Sequence, residues 1–494
     1  MRIVLLRTIG KTLSTIWLIC LFTGLLPAIS RAQGAEPQRE QLLNGLRILL
    51  ISRPGDQNVL LKLRIHSGAA FDTAGKAGTM ALLGDILFPD AATHDYFTEE
   101  IGGRLEVETD YDGINVTLQG HAADYDRIVD ILRTALVTTQ ITPENVAKVR
   151  EARIKRLAAV QPTAATVADR MIAERLLGNF PYANPSAGDA SSIPRIDRAD
   201  LMLAREKFLS PNNATLVIIG GVDQRRTMRA LRQLLGGWRK SDQLIPASFR
   251  QPAQPDPRTL IVNSPGTKTT EVRMATRGLA RGDRDYFAAN VLAAIAQERW
   301  QKLGLNSNGS FFVRQEAYLL PGIFVMGATV NGTAVAKLLE NARSILKSLV
   351  DSPVLLSEIE KAKNETVASM SPRLSKDDAT ANAWLDIEAY TLPTINEQTR
   401  AWNSVSASDL QRVAARLFRD NAIASVVVGS AEDLKAQLAP TLKIEMMGES
   451  KPRTADQEST ITTTEPTRRR TVPVLIAPKN TNPLMKNTKP VTKP

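Results

Sequence analysis

Apolar residues arrive along this chain in short blocks whose spacing alternates between the strand and helix periods. Residues 46–51 (LRILLI) form a compact apolar run, and after a Pro-Gly-Asp turn residues 59–66 (VLLKLRIH) form another; both predict buried strands. Residues 78–88 follow with Met80, Leu83 and Leu87 spaced three and four apart, the signature of a helix with one apolar face. Residues 104–119 alternate as a strand pair about Tyr111-Asp112-Gly113. Helices are predicted over 125–138, 143–160, 164–177 and 198–208. A buried strand at 214–219, ending in Gly220-Gly221-Val222-Asp223, and a helix at 225–235 complete this half.

The stretch 236–257 is rich in Pro, Gln and polar residues and reads as a linker. The same order then returns: strands at 259–262 and 272–276, a helix at 285–301, a strand at 322–330, helices at 335–350 and 357–369, and a buried strand at 425–428. Three pieces superpose by eye: LLISRPGD with LIVNSPGT, LRIHSGAAFD with VRMATRGLARGD, and LVIIGGVD with SVVVGSAED. Their spacing is far too wide for a solenoid repeat. Strands grouped with runs of helices favour a duplicated α+β domain over a Rossmann sheet.

Charge changes the picture only at the ends. The net charge is +11. The first 32 residues hold four basic and no acidic residues, residues 451–494 hold nine basic and three acidic, and the stretch between is left at +1. A general nucleic-acid-binding surface is therefore not expected. The N-terminus carries Arg2, Arg7 and Lys11, an apolar run from Ile16 to Ile29, then Ser30 and Ala32, which reads as a secretory signal over 1–32. The run is shorter than the roughly 20 residues a spanning helix needs, so no transmembrane helix is expected after cleavage. The single cysteine, Cys20, lies inside it, leaving no disulfide to the mature chain. Residues 441–494 are rich in Thr, Pro, Lys and Asn, with Arg468, Arg469 and Arg470 in succession, and read as a disordered basic tail.

Several landmarks in fixed order now carry a resemblance: LLNGLRILLISRPG, GKAG before the first helix, IGGRLEVETDYDGINVTL after it, NFPYANPSAGDASSIPRIDRADL, and FLSPNNATLVIIGGVD. Together they resemble the insulinase, pitrilysin and mitochondrial-processing-peptidase family of zinc peptidases. The resemblance implies two homologous insulinase-like (LuxS/processing-peptidase-like) lobes, over residues 38–235 and 258–440, joined by the linker. Active members of that family carry H-x-x-E-H on the first helix, with two His holding zinc and the Glu activating water. Aligned through Gly78 and Leu87-Phe88, this chain has Ala81 at the first His position, Gly84 at the general base and Asp85 at the second His. Where the family's third ligand falls, the register places Lys155 and Arg156, cations that repel zinc, with Glu151 facing elsewhere. In the second half Arg299 aligns with the family's chamber Arg, Phe312 stands for its Tyr, and the glycine turn before them is missing. His66, His94 and His121 form no metal-binding pair in sequence. Ser191 and Ser192 lack a nucleophile elbow.

The degenerate positions imply a chain without zinc, metal cofactor or peptidase activity in isolation. In the family the strand after Gly102-Gly103 is an edge that binds peptides by backbone pairing, so this chain's strand reads either as a surviving peptide-binding edge or as an ordinary amphipathic strand with Leu105 and Val107 inward. Here that edge presents Glu106, Val107 and Glu108, with the two glutamates favouring basic peptides. The resemblance also implies a homo- or heterodimer with an active insulinase-family peptidase. The expectation is thus an exported, periplasmic or extracellular, noncatalytic subunit. The competing readings are a weak metallopeptidase with a non-standard metal site, and a structural envelope protein attached by its tail.

Overall fold

In the first half of the chain the elements run β1 (Gln38–Gln41), β2 (Arg47–Ser52), β3 (Asn58–Ile65), α1 (Thr79–Asp85), α2 (Ala91–Glu99), β4 (Arg104–Thr109), β5 (Ile114–His121), α3 (Tyr125–Arg133), α4 (Pro143–Ala159), α5 (Ala164–Leu177), α6 (Arg198–Phe208), β6 (Ala214–Gly220) and α7 (Gln224–Leu235). The second half runs β7 (Thr259–Asn263), β8 (Thr270–Arg277), α8 (Tyr286–Gly304), β9 (Gly309–Glu316), β10 (Ile323–Val330), α9 (Val335–Asp351), α10 (Leu356–Ala368), α11 (Asp377–Tyr390), α12 (Ile395–Asn403), α13 (Ala407–Ala414), β11 (Ala424–Gly429), α14 (Ala431–Leu438) and β12 (Ile444–Met446). The structure is a computed structural model and describes residues 36–448 apart from 244, 246–248, 305–308, 332–334 and 371–373. The expected signal segment and the tail beyond 448 lie outside the described residues. Among the described residues, no helix is long and apolar enough to cross a membrane.

The strands build two six-stranded sheets, ordered β1-β2-β6-β3-β5-β4 and β12-β7-β11-β8-β10-β9. Position by position, β7, β11, β8, β10 and β9 repeat β2, β6, β3, β5 and β4, so the fold is α+β with a duplicated domain. The parallel pairs β2/β6 and β7/β11 are equivalent, as are the antiparallel ladders around them. Only the outermost strand differs. β1 precedes β2 and runs antiparallel to it, while β12 comes from the far end of the chain and runs parallel to β7.

β12 corrects the expected start of the tail at 441. Three residues are too few to show a period, yet Ile444 to Met446 pair with Thr259 to Ile261, and Glu445 is buried, 2.8 Å from Arg175. α1 is also shorter than its apolar spacing suggested. Six of its seven residues are buried, so it is wrapped on all sides rather than presenting one apolar stripe. The linker has neither helix nor strand among its described residues, but it is anchored. Trp238 is buried with its indole N–H on the Leu209 carbonyl, and Phe249 packs against Phe71 and Phe180.

Each sheet is covered on its second face by a helix from the other half. α11 lays Ala381, Trp384, Leu385 and Ile387 over Leu49, Ile51, Leu60, Val217 and Ile219 of the first sheet. Conversely α5 lays Ala168, Ile172 and Leu176 over Leu260, Val262, Ala275, Val325, Val426 and Val428 of the second. Ion pairs frame both exchanges: Lys62–Asp378 at 2.8 Å and Arg64–Asp386 at 2.6 Å in one, Arg273–Asp169 at 2.5 Å and Arg175–Glu445 at 2.8 Å in the other. Strands buried on both faces carry continuous apolar runs, which explains LRILLI and LVIIG.

A polar knot ties the halves together beside these helices. Buried Asp112, in the β4–β5 turn, accepts the Tyr182 hydroxyl at 2.8 Å, the Leu319 N–H at 2.7 Å and the Tyr390 hydroxyl at 3.0 Å. Burial raises its carboxyl above the ordinary range, against the pull of those three donors.

Candidate functional site

The site begins at the N-terminus of α1. Gly78 sits at φ 94°, where a Cβ would lie 2.5 Å from Ile193 Cδ1, so glycine alone fits. This turn aims the first N–H groups of the helix at Asp72, whose carboxylate accepts from Gly78 at 2.6 Å and Met80 at 2.8 Å. Burial pushes the Asp72 carboxyl up to about 7, against those two donors and nearby Arg153.

The three positions aligned with the family's zinc motif lie together on α1, facing β4 and α4. Ala81 is 1% exposed. A Cβ added to Gly84 would lie 3.0 Å from Thr109 Oγ1 and 3.2 Å from both Val107 Cγ1 and Ile114 Cγ2. The room that a general-base side chain needs is filled by the strand. Asp85 is held in a clamp: Arg153 Nε donates to Oδ2 at 2.7 Å, Arg153 Nη2 to Oδ1 at 2.8 Å, and Arg156 Nη2 to Oδ2 at 2.7 Å. The side chains of Asp85 and Arg153 are 10% and 12% exposed, while Arg156 is 59% exposed.

Zinc does not fit these residues. The one oxygen donor has both oxygens engaged by guanidinium groups, which carry positive charge to where a cation would sit. Among the described residues no three His, Cys, Asp or Glu side chains gather into a metal-binding group. The histidines are apart. His66 bonds to Thr215 Oγ1 at 2.9 Å, and burial, with Arg47 and Arg64 adding to it, lowers its pKa to about 3. His94 stands in the cleft with Nδ1 3.3 Å from the Leu105 carbonyl, and His121 is exposed on β5.

Arg153 is the residue that sequence reasoning missed. The register pointed to Lys155 and Arg156; Arg156 does reach Asp85, but Lys155 is exposed and the bidentate partner is Arg153. Arg150, Arg153 and Arg156 recur every three residues on α4, and that spacing was the available signal. Glu151 is exposed. In the second half Arg299 is committed to Glu358 in a bidentate pair at 2.9 Å and to Ser348 at 3.0 Å. The Arg273 and Arg314 guanidiniums both pack on the Phe312 ring, 4.8 and 4.6 Å from its centre.

Next to the clamp a cleft of about 560 Å³ opens between α1, α2, α4 and β4, with Asp85, His94, Glu106, Val107, Glu108 and Arg156 in its walls. β4 is an outer strand of its sheet. The Asp110 N–H to Gly113 C=O bond closes the hairpin, so the alternate residues Glu108, Glu106 and Arg104 ladder to β5. Leu105 and Val107 therefore turn their backbone groups to the free side, where His94 takes the Leu105 carbonyl. Glu106 and Glu108 are exposed, and Glu106 pairs with Arg104 at 3.0 Å. This brings all three expected edge residues to one ledge beside the three degenerate motif positions.

The family comparison agrees with this geometry. Residues 47–190 match the model of insulinase (peptidase family M16), and residues 195–366 match that of the peptidase M16 inactive domain. The chain belongs to the insulinase family, M16. It is 21% identical over 268 residues to an uncharacterized zinc protease of Mycobacterium bovis, covering 53% of this chain. The chain spans about 61% of the length of that relative. A peptidase M16 inactive domain from Pseudomonas fluorescens superposes with a TM-score of 0.69 at 17% identity, over 80% of this chain and 99% of the other. The periplasmic protease PqqL of Escherichia coli superposes at 0.68 and 16% identity, over 83% of this chain and 49% of its own. At such identities the likeness is one of fold. The M16 fold here holds an arginine–aspartate clamp at Asp85, the residue that aligns with the second His of the family's motif.

Proposed function

We propose that this M16 chain is a noncatalytic, peptide-binding subunit that works beside a zinc-bearing member of its family, in dimeric association with it, and that it is exported. The observation that carries the reading is the Arg153–Asp85–Arg156 clamp at the residue aligned with the family's zinc motif, beside β4 as the outer strand of its sheet. Without a metal-bound water and with Gly84 at the base position, the chain has no group placed to attack a peptide carbonyl by the family's route. Backbone pairing along an edge needs none of that chemistry. The open N–H and C=O of Val107 offer one antiparallel or parallel register point, and Glu106 and Glu108 line the ledge for a peptide with basic residues.

Export is supported by the N-terminal apolar run and by likeness to a periplasmic protease. A family partner is supported by the match of residues 195–366 to the inactive-domain model, together with the missing zinc motif in the first half.

The test is zinc content of the purified protein, with peptide cleavage measured with and without a chelator. A basic peptide is titrated in parallel against the parent and Val107→Pro, which removes an outward N–H without touching the ladder to β5. The expected result is no stoichiometric zinc, no cleavage, and peptide affinity at least tenfold weaker in Val107→Pro. One zinc per chain with chelator-sensitive cleavage would sink the proposal, and equal peptide affinity in both proteins would remove β4 as the binding edge.

A further inference from the structure

Away from the cleft, α7 presents a face whose charge the fold does not use. Asp223 caps the helix by accepting the Arg226 N–H at 2.9 Å, and Thr227, Met228, Leu231 and Leu235 turn into the first core. The opposite face carries Arg225, Arg226, Arg229 and Arg232, all exposed. Arg226 is tied to Asp126 at 2.8 Å. Arg225, Arg229 and Arg232 make no hydrogen bond or ion pair among the described residues, whereas Arg153, Arg175, Arg273, Arg299 and Arg416 are each closed onto carboxylates.

Positions 225, 229 and 232 follow the i, i+4, i+7 spacing of one helix face and extend over roughly 10 Å of axis. They line a shallow, solvent-open groove of about 710 Å³ against β1, where Glu40 is the one acidic side chain. Three unpaired guanidiniums in line cost electrostatic repulsion that a compact fold does not need, and their forked donors match phosphate oxygens bidentately.

We propose that this face of α7 docks onto an array of phosphate groups, as the headgroups of an anionic membrane present them. The groove has no buried polar side chain to seat a single small anion. It exposes no apolar anchor of the kind a protein partner needs, because Met228 is 3% exposed. It has no aromatic side chain on which a nucleobase would stack, and the chain outside its two ends is nearly neutral. A fluid, repetitive phosphate surface asks only for a row of cations, and that is what α7 supplies.

The full chain is sedimented with vesicles of equimolar phosphatidylglycerol and phosphatidylcholine at about 0.1 M salt, and with vesicles of phosphatidylcholine alone. The variants are R225Q/R229Q/R232Q and, for the tail, R468Q/R469Q/R470Q. At about a tenfold effect per one or two basic residues near the surface, the α7 variant is expected to bind anionic vesicles roughly a hundredfold more weakly while keeping the parent's thermal midpoint. The tail variant is expected to retain most of the binding. Equal binding by the parent and the α7 variant overturns the proposal, as does loss of binding in the tail variant alone or equal binding to neutral vesicles. Displacement by inorganic phosphate at the same phosphorus concentration would overturn the membrane assignment in favour of a discrete site for free phosphate.

Discussion

Asp85→Ala is expected to be among the most damaging single changes in the first half, because it breaks a nearly buried ion pair. Removing the carboxylate strands the Arg153 guanidinium in a place where its side chain is 12% exposed, with only the carbonyls of Ala81 and Ala187 left at 3.3 and 3.4 Å. Leaving one partner of a buried pair costs about 3–5 kcal/mol. Arg156, at 59% exposure, is a surface partner, and its loss costs less than about 1 kcal/mol. Arg153→Ala falls between, since Arg156 still pairs with Asp85. The double change Asp85→Leu with Arg153→Met replaces the pair by apolar volume and is expected within about 1 kcal/mol of the parent. Equilibrium urea unfolding of the four variants measures this order. If Arg156→Ala costs as much as Asp85→Ala, or if Asp85→Ala is neutral, the Arg153–Asp85 pair is not the support that holds α1 against α4.

Other changes probe the rest of the site and the interlock. Gly84→Glu forces a side chain against Val107, Thr109 and Ile114 and is expected to cost about 3 kcal/mol or more; Val107→Ala in the same chain should recover part of it, and no recovery would mean the strand is not the obstacle. Trp384→Ala, at 1% exposure over the first sheet, is expected to lose about 3–5 kcal/mol in thermal or urea unfolding, and a loss under about 1 kcal/mol would show that α11 does not hold that face. Because the folded Asp72 carboxyl is raised to about 7 from an ordinary 3.8, the folded chain holds that proton more tightly than the unfolded chain. Its contribution is therefore full below about pH 4 and is lost as pH rises towards about 7. The stability difference between the parent and Asp72→Asn should shift across that window, and a difference independent of pH would refute the raised value.

Much of the fold was legible because its strands and helices are strongly patterned. The helices at 164–177 and 198–208 and the β4–β5 pair stand where their periods placed them. β9, with Phe311, Phe312 and Val313 in succession among polar residues, has no strand period, since an outer strand between sheet and solvent alternates poorly. The candidate site was half legible. Aligning Gly78 with Leu87-Phe88 put Ala81, Gly84 and Asp85 on one turn, and the structure has them side by side. The identity of the carboxylate's partner was not legible, because Asp85 and Arg153 are 68 residues apart and the Arg150, Arg153 and Arg156 spacing marks a helix face without saying which cation meets the carboxylate.

The apolar runs and their recurrence determined, without coordinates, that two like α+β units exist and that their central strands are buried. A local pattern records that a face is buried but not what buries it. Only the tertiary structure decided that α5 and α11 are exchanged between the halves, that Asp112 is closed by groups from both, and that Asp85 is clamped by Arg153 and Arg156. Those outcomes depend on contacts between residues from about 70 to more than 250 positions apart, where packing and charge in three dimensions select one partner from many with the same sequence character.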